Sequence, residues 1–271
     1  MSDASPLPPR LAVLIDADNA QPSVIAPLLA EVAKFGSARV RRIYGNWTSP
    51  QHGEWKQALL EHSIQPIQQF AYTKGKNATD SALIIDAMDL LYTRRFDGFC
   101  LVSSDSDFTR LAQRIREEGL AVYGFGERKT PEPFVAACDK FIYTDLLRPR
   151  DVRKAATAPP TRAAEPPARP AAPGPAPTGA GATPSEASPS PIDAVALISQ
   201  AIEEVEAEDG WAALAAVGSY LNTLRSDFDP RLFGHKKLSD VLRAHPKAFE
   251  LRESAVPGTD AKVVHARLRS G

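Results

Sequence analysis

The stretch Leu11–Asn19, LAVLIDADN, starts as an apolar run and ends in polar residues. A short continuous apolar run is typical of a strand that is buried on both faces, as in a parallel sheet covered by helices. In such sheets the ligand crevice lies beyond the carboxyl ends of the strands. Asp16, which ends the apolar run, is therefore predicted to face that crevice.

The same kind of apolar run recurs through the first half of the chain. Strands are predicted at 11–15, 38–44, 63–70, 99–103, 120–125 and 140–144. Helices are predicted near 24–34, 54–62, 80–92, 108–118 and 133–138. This alternation indicates an α/β domain whose parallel sheet lies between helical layers. Gly36 and Gly119 follow two of the helices, where a left-handed residue commonly ends a helix.

A second strand ends in acidic residues, in the stretch FCLVSSDSDF at 99–108. Asp107 has a structural explanation, because one Asp often caps a helix and a helix is predicted from Phe108. A single cap does not explain the second acid, Asp105. Because the carboxyl ends of parallel strands meet at one sheet edge, both acids are expected near Asp16.

Another acid lies on the apolar face of a predicted helix. On a helical wheel Asp80 falls with Ile84 and Leu91, in the middle of the apolar stripe. Asp89 falls on the opposite, solvated face, and Asp86 on the flank. A carboxylate that faces the core is costly unless a partner compensates its charge. A cation at the edge of the sheet would do so.

These acids are predicted to form one cluster made of Asp16, Asp80, Asp105 and Asp107. Each has a structural alternative (a cap, a first-turn acid or an Asx-turn), but together those alternatives require several coincidences at one edge. Close carboxylates repel each other, and Mg²⁺ or Mn²⁺ relieves that repulsion. Metal-assisted phosphodiester hydrolysis suits this arrangement. No His or Cys lies in these motifs, which argues against zinc.

Other polar residues lie next to the acidic motifs. Asn19, Ser103 and Ser104 are predicted to orient ligands or waters around the cluster, although turn formation and capping explain them equally well. Lys74 and Lys76 lie in a loop that would suit contact with RNA phosphates. A solvated loop is the alternative for these lysines.

Composition separates the chain into two parts. Eleven prolines fall between Pro159 and Pro191, among Ala, Gly, Ser and Thr and without apolar periodicity. Such a segment cannot bury enough surface to offset its ordering entropy, so residues 148–191 are predicted to be a disordered linker. A tether of this kind would bring two domains together without fixing their orientation.

The remaining composition limits the protein class. Two cysteines without metal-ligand spacing favour a reducing compartment, and the N-terminus lacks a signal-peptide pattern, so a cytoplasmic protein is expected. No apolar run approaches the roughly 20 residues that span a bilayer, so no membrane association is expected. The net charge is -1, so nucleic-acid binding would need a local basic patch.

Three segments together resemble the NYN domain, a branch of the PIN-like nuclease superfamily: LAVLIDADN, KGKNATDSALIIDAMDLL and LVSSDSDFTRLAQRIREEGLAVYGFG. The resemblance covers residues 10–147. It implies a Rossmann-like three-layer α/β/α fold and metal-dependent endoribonuclease activity. The family's acidic residues map onto Asp16, Asp80, Asp105 and Asp107, with Asn19 and Asp86 in the surrounding motif.

Two other functions compete with the ribonuclease. A non-catalytic RNA-binding protein could use the acidic edge structurally or for ion binding alone. A strand that ends in DAD also resembles the start of haloacid-dehalogenase-type phosphatases, whose first Asp is a nucleophile. That family has Thr or Val where this chain has Ala20, and its later Ser/Thr and Lys motifs are not matched convincingly. The phosphatase is therefore the weakest of the three.

The segment 192–271 predicts a second domain. Three amphipathic helices precede two strands, AFELRES and AKVVHARL, which is the order of a winged helix. The segment resembles the OST-HTH (LOTUS) domain, which implies binding to RNA or to a protein partner. A basic run beside Gly234 is predicted to contact RNA phosphates, although a solvated face is the alternative. It comprises Arg231, His235, Lys236 and Lys237.

Overall fold

The computed structural model describes residues 7–48, 53–70, 78–148, 193–207, 210–255 and 262–269. Residues 149–191 of the predicted linker lie outside these ranges, as do Lys74 and Lys76. Within the described residues, no helix combines the length and the hydropathy needed to cross a membrane.

The N-terminal domain alternates strands and helices as the sequence predicts. Its described strands are β1 (Arg10–Asp16), β2 (Ser37–Gly45), β3 (Gln65–Gln68), β4 (Gly98–Val102), β5 (Ala121–Gly126) and β6 (Lys140–Tyr143). Its described helices are α1 (Ile25–Val32), α2 (Trp55–Glu61), α3 (Ala78–Tyr92), α4 (Thr109–Glu117) and α5 (Glu132–Ala137). Short 3₁₀ turns at 22–24, 106–108 and 144–146 join some of them.

The strands form one parallel sheet in the order β3-β2-β1-β4-β5-β6. The chain moves outward from β1 in one direction, returns to pair β4 with β1, and then moves outward in the other direction. Since parallel crossovers are right-handed, this reversal places the two sets of helices on opposite faces. The predicted Rossmann-like α/β/α architecture is confirmed.

The core fills both faces of the sheet. Leu14 and Leu101 point toward the layer of α3, α4 and α5, whereas Val13 and Cys100 point toward α1 and α2. Alternate residues of one strand therefore serve opposite cores, which explains the continuous apolar run in β1.

One glycine has a different role from the one predicted. Gly119 has φ of 78° and ends its helix in the left-handed region, as expected. Gly36 does not have a positive φ. A Cβ at Gly36 would lie 2.3 Å from the Pro9 carbonyl oxygen, so close backbone approach excludes a side chain there.

The C-terminal domain has its own core and sheet. Its elements are α6 (Ala194–Val205), β7 (Ala212–Ala213), α7 (Leu214–Leu224), a 3₁₀ turn (Pro230–Phe233), α8 (Leu238–Ala244), β8 (Phe249–Ala255) and β9 (Lys262–Leu268). The strands form an antiparallel sheet in the order β7-β9-β8. The sequence predicts the second helix over residues 209–224, but it begins at Leu214, because Ala212 and Ala213 pair with β9 instead of joining the helix.

The two domains contact each other directly. The backbone N–H of Phe141, in the edge strand β6, donates to the Ser226 carbonyl oxygen at 2.9 Å. Leu232 packs against the core cluster of the N-terminal domain. The expectation that a tether leaves the orientation of the domains unfixed is therefore wrong for this structure.

We expect Leu14→Ala to lower the free energy of unfolding by about 2–5 kcal/mol, because it leaves a cavity in the sheet's core. Leu14 is fully buried, whereas Leu60 is 76% exposed. Leu60→Ala is the matched control and should change that free energy by no more than about 0.5 kcal/mol. Denaturant unfolding followed by circular dichroism measures both, and equal losses would contradict the assignment of the core.

Candidate active site at the carboxyl edge of the sheet

The acidic residues lie where the strand order reverses. Asp16 is the last residue of β1, and the Ser103–Asp107 segment follows β4 directly. These two strands are neighbours in the middle of the sheet, and their outward connections run in opposite directions. Loops that diverge in this way open a crevice, which is the usual ligand site of an open α/β sheet.

Asp16 is fully buried and held by three donors. Its Oδ2 accepts hydrogen bonds from Ser103 Oγ at 2.8 Å and Asn19 Nδ2 at 2.7 Å. Its Oδ1 accepts one from the Asp18 backbone N–H at 2.9 Å. Burial raises the pKa of Asp16, and these hydrogen bonds oppose that shift by stabilising the anion. The carboxylate is therefore fixed in one orientation.

The loop after β4 is organised by its serines and by Asp105. Ser103 Oγ accepts a hydrogen bond from the Asp105 backbone N–H at 3.1 Å, and Ser104 Oγ accepts one from Glu127 N–H at 2.8 Å. Asp105 Oδ1 accepts from the Asp107 N–H at 2.9 Å and so caps the 3₁₀ turn that precedes α4. The capping carboxylate is thus Asp105, not Asp107 as the structural alternative held.

Three carboxylates meet at this edge. Asp80, Asp105 and Asp107 each offer an oxygen that lies within 4.8 Å of the others. Asp80 reaches them because it lies in the first turn of α3, which begins at the same edge. Asp16 is not a member of this trio, although its charge acts on Asp80.

Repulsion within this cluster changes the acidity of Asp80. Partial burial, together with the negative charges of Asp16, Asp105 and Asp107, raises the pKa of Asp80 to about 6. Like charges at close range disfavour the ionised form, and a bound cation would reverse that preference. The cluster therefore has the electrostatic character of a cation site.

Asp86 lies apart from the acidic cluster. Its carboxylate accepts hydrogen bonds from the Arg42 guanidinium and the Tyr44 hydroxyl, both on β2. These contacts fasten α3 to the sheet, and Asp80 lies nearer the start of the same helix. The sequence motifs alone do not predict this clamp. Its signal was the spacing of Arg42 and Tyr44, which places both on the same face of a strand.

The predicted RNA-binding residues of the C-terminal domain have different environments. Arg231 lies in ion pairs with Glu31, at 3.1 Å, and with Asp229, at 2.6 Å. Lys236 and Lys237 are exposed, and His235 is partly exposed. Arg231 therefore serves a contact between the domains in this structure, which leaves the other three as candidates for phosphate contact.

The family model of the NYN domain matches residues 10–147 of the sequence, which include the whole parallel sheet and all four acids. The chain belongs to the NYN family. The model of the OST-HTH/LOTUS domain matches residues 191–259, after the NYN domain. Both resemblances noted in the sequence are confirmed.

The chain is also similar to two solved structures. A protein of unknown function from Vibrio parahaemolyticus is 17% identical, with a TM-score of 0.44, over 53% of this chain and 95% of that chain. An uncharacterized protein from Nitrosomonas europaea is 34% identical, with a TM-score of 0.27, over 34% of this chain and 90% of that chain. No curated protein matches the chain.

Without a divalent cation, Asp80→Asn should stabilise the protein at pH 8. The folded-state pKa of about 6 exceeds the ordinary aspartate value of 3.8, so ionised Asp80 destabilises the fold above that range. The gain should shrink as the pH falls through 6 and vanish toward 4. Thermal unfolding in EDTA measures it, with Asp89→Asn, on the exposed side of α3, as the control. A gain independent of pH would contradict the shifted pKa.

Proposed function

We propose that the protein is a metal-dependent endoribonuclease that hydrolyses RNA phosphodiester bonds. The observation that carries this proposal is the convergence of the Asp80, Asp105 and Asp107 oxygens within 4.8 Å, at the strand-order reversal of an NYN domain. Clustered carboxylates repel each other, and their concentration at the crevice of the sheet is explained by a role in binding a cation.

The donor set fits Mg²⁺ or Mn²⁺. All three members of the trio are aspartates, and hard divalent cations prefer carboxylate oxygens. Partial burial and then repulsion from the other acids raise the pKa of Asp80, and such a cation would relieve the repulsion. When bound, the ion would polarise a phosphoryl oxygen and lower the pKa of a water molecule.

The chain's own residues would position this site. Asp80, Asp105 and Asp107 would hold the cation at the mouth of the crevice, and Asp16 would add negative charge from beneath. Ser103 and Asn19 orient the Asp16 carboxylate through their hydrogen bonds. Ser104 ties the loop after β5 to the loop after β4, through the Glu127 backbone. Asp86 acts at a distance, since it fixes the helix that carries Asp80.

The C-terminal domain supports RNA as the substrate. OST-HTH/LOTUS domains are associated with RNA binding, and this one exposes Lys236 and Lys237 beside His235. Lys74 and Lys76, which lie outside the described residues, remain candidates for phosphate contact. A protein partner of the C-terminal domain and a cytoplasmic location also remain predictions.

The phosphatase alternative conflicts with the environment of Asp16. A nucleophilic carboxylate needs an oxygen that can reach a phosphorus atom, but Asp16 is fully buried and both of its oxygens accept hydrogen bonds. The non-catalytic RNA-binding alternative has no such conflict, and a cleavage assay decides between it and the nuclease.

Purified protein with Mn²⁺ or Mg²⁺ should cleave labelled single-stranded RNA, and EDTA should stop the reaction. Asp105→Asn should lower kcat/KM by about 100-fold or more, because it removes a charge from the proposed cation site. Asp89→Asn removes the same charge from the exposed side of α3 and should leave the rate unchanged. Equal rates for wild type and Asp105→Asn would refute the site, and no cleavage of any RNA would favour the binding protein.

The double variant Lys236→Glu/Lys237→Glu should weaken RNA binding by about tenfold or more at low salt. It should also reduce the slope of log affinity against log salt, by about one for each lost phosphate contact. Lys56→Glu, on the exposed side of α2, is the control. Fluorescence anisotropy with labelled RNA in EDTA measures both, and unchanged binding would remove the basic run from the RNA interface.

A further inference from the structure

Specific hydrogen bonds hold the two domains together at their boundary. The Lys140 ammonium group, at the start of β6, donates to Asn222 Oδ1 and to the Phe228 carbonyl oxygen, each at 2.6 Å. At the other end of the strand, the Tyr143 hydroxyl donates to Asp227 at 3.0 Å. The C-terminal domain therefore covers the whole length of the edge strand.

Buried charges make this contact specific. Asp227, Asp229 and Glu31 are each less than 10% exposed. Arg231 binds Glu31 through two parallel hydrogen bonds of 3.1 Å and also binds Asp229. A buried carboxylate that loses its partner is strongly destabilised, so separation of the domains would require these groups to be hydrated again. An exposed sheet edge also invites unwanted pairing, which the covering domain prevents.

Docking places the basic run far from the acidic cluster. Lys236 lines the same cavity as Lys140 and Glu31. Lys140 begins β6 and Glu31 lies in the last turn of α1, so this cavity lies at the amino edge of the sheet. The acids lie at the carboxyl edge. The seven residues of β1 span roughly 20 Å between the two edges.

We propose that the docked C-terminal domain acts as a ruler for single-stranded RNA. It sets the length of RNA that is needed for efficient cleavage and the distance of the cut from the bound segment. An RNA held by Lys236 and Lys237 has to cross the length of the sheet before it reaches the acids. The proposal rests on the proposed nuclease function and makes it specific. The path includes this span along the strands and also the two strand spacings, of about 4.8 Å each, that separate β6 from β4, so it requires several nucleotides. Shorter RNAs reach one site only, and longer RNAs are cut at a fixed distance from the bound segment.

The first test is a series of end-labelled single-stranded RNAs, from 4 to about 30 nucleotides, cleaved by the full chain with Mn²⁺. Wild type should show a step of about tenfold in kcat/KM once the RNA spans both sites. Lys236→Glu/Lys237→Glu should remove the step, because a long RNA is then no longer held at the site distant from the acids. A smooth length dependence, or an equal loss at every length, would overturn the ruler.

The second test disrupts docking. Glu31→Lys sets a lysine against Arg231, and Lys140→Met removes both hydrogen bonds of Lys140. Each should increase the radius of gyration in small-angle scattering, speed hydrogen exchange of the Phe141 amide and broaden the cleavage pattern into a ladder. Glu61→Lys makes the same charge change on exposed α2 and should have none of these effects.

The outcomes separate the two proposals. If the docking variants change scattering and hydrogen exchange but the cleavage pattern stays discrete, the ruler is wrong and the nuclease stands. If neither docking variant changes scattering or exchange, the ruler is also wrong, since docking does not fix the domains in solution. If no RNA of any length is cleaved, the nuclease proposal fails, and the ruler fails with it.

Discussion

The hydrogen bond from Ser103 to buried Asp16 joins the ends of the two central strands, and the site is organised around it. It lies where β1 and β4 are neighbours and their outgoing loops diverge. Burial raises the pKa of Asp16, and this bond, together with those from Asn19 and Asp18, opposes that shift by stabilising the ionised carboxylate. The same serine accepts from the Asp105 backbone, so one hydroxyl sets the positions of acids from two strands.

The fold that fixes these side chains also concentrates negative charge at this edge of the sheet. Partial burial and the negative charges of the neighbouring acids together raise the pKa of Asp80, so the fold holds this carboxylate where its ionised form is disfavoured. The rigid sheet and the Asp86 clamp on α3 maintain this arrangement. Unfavourable electrostatics that the fold sustains at a crevice are typical of functional sites.

At the boundary between the domains, buried charges also need compensation, and there oppositely charged groups are in contact. Arg231, Glu31 and Asp229 tolerate burial because each has a partner. Geometry at this boundary decides what each basic residue can do. Arg231 joins the domains, while Lys236 and Lys237 remain exposed, although all three belong to one basic run in the sequence.

The sequence by itself determined the alternating strands and helices, the parallel sheet and the sheet edge to which the acids belong. Those features follow from apolar periodicity and from the geometry of parallel strands, which are local or general rules. Only the tertiary structure decided that Asp105 rather than Asp107 is the cap, that Asp86 binds Arg42 and Tyr44, and that Gly36 makes room for Pro9. It also decided that Arg231 binds Glu31, which is 200 residues away in the chain. Partners and close contacts of this kind depend on distances between segments that no local pattern encodes.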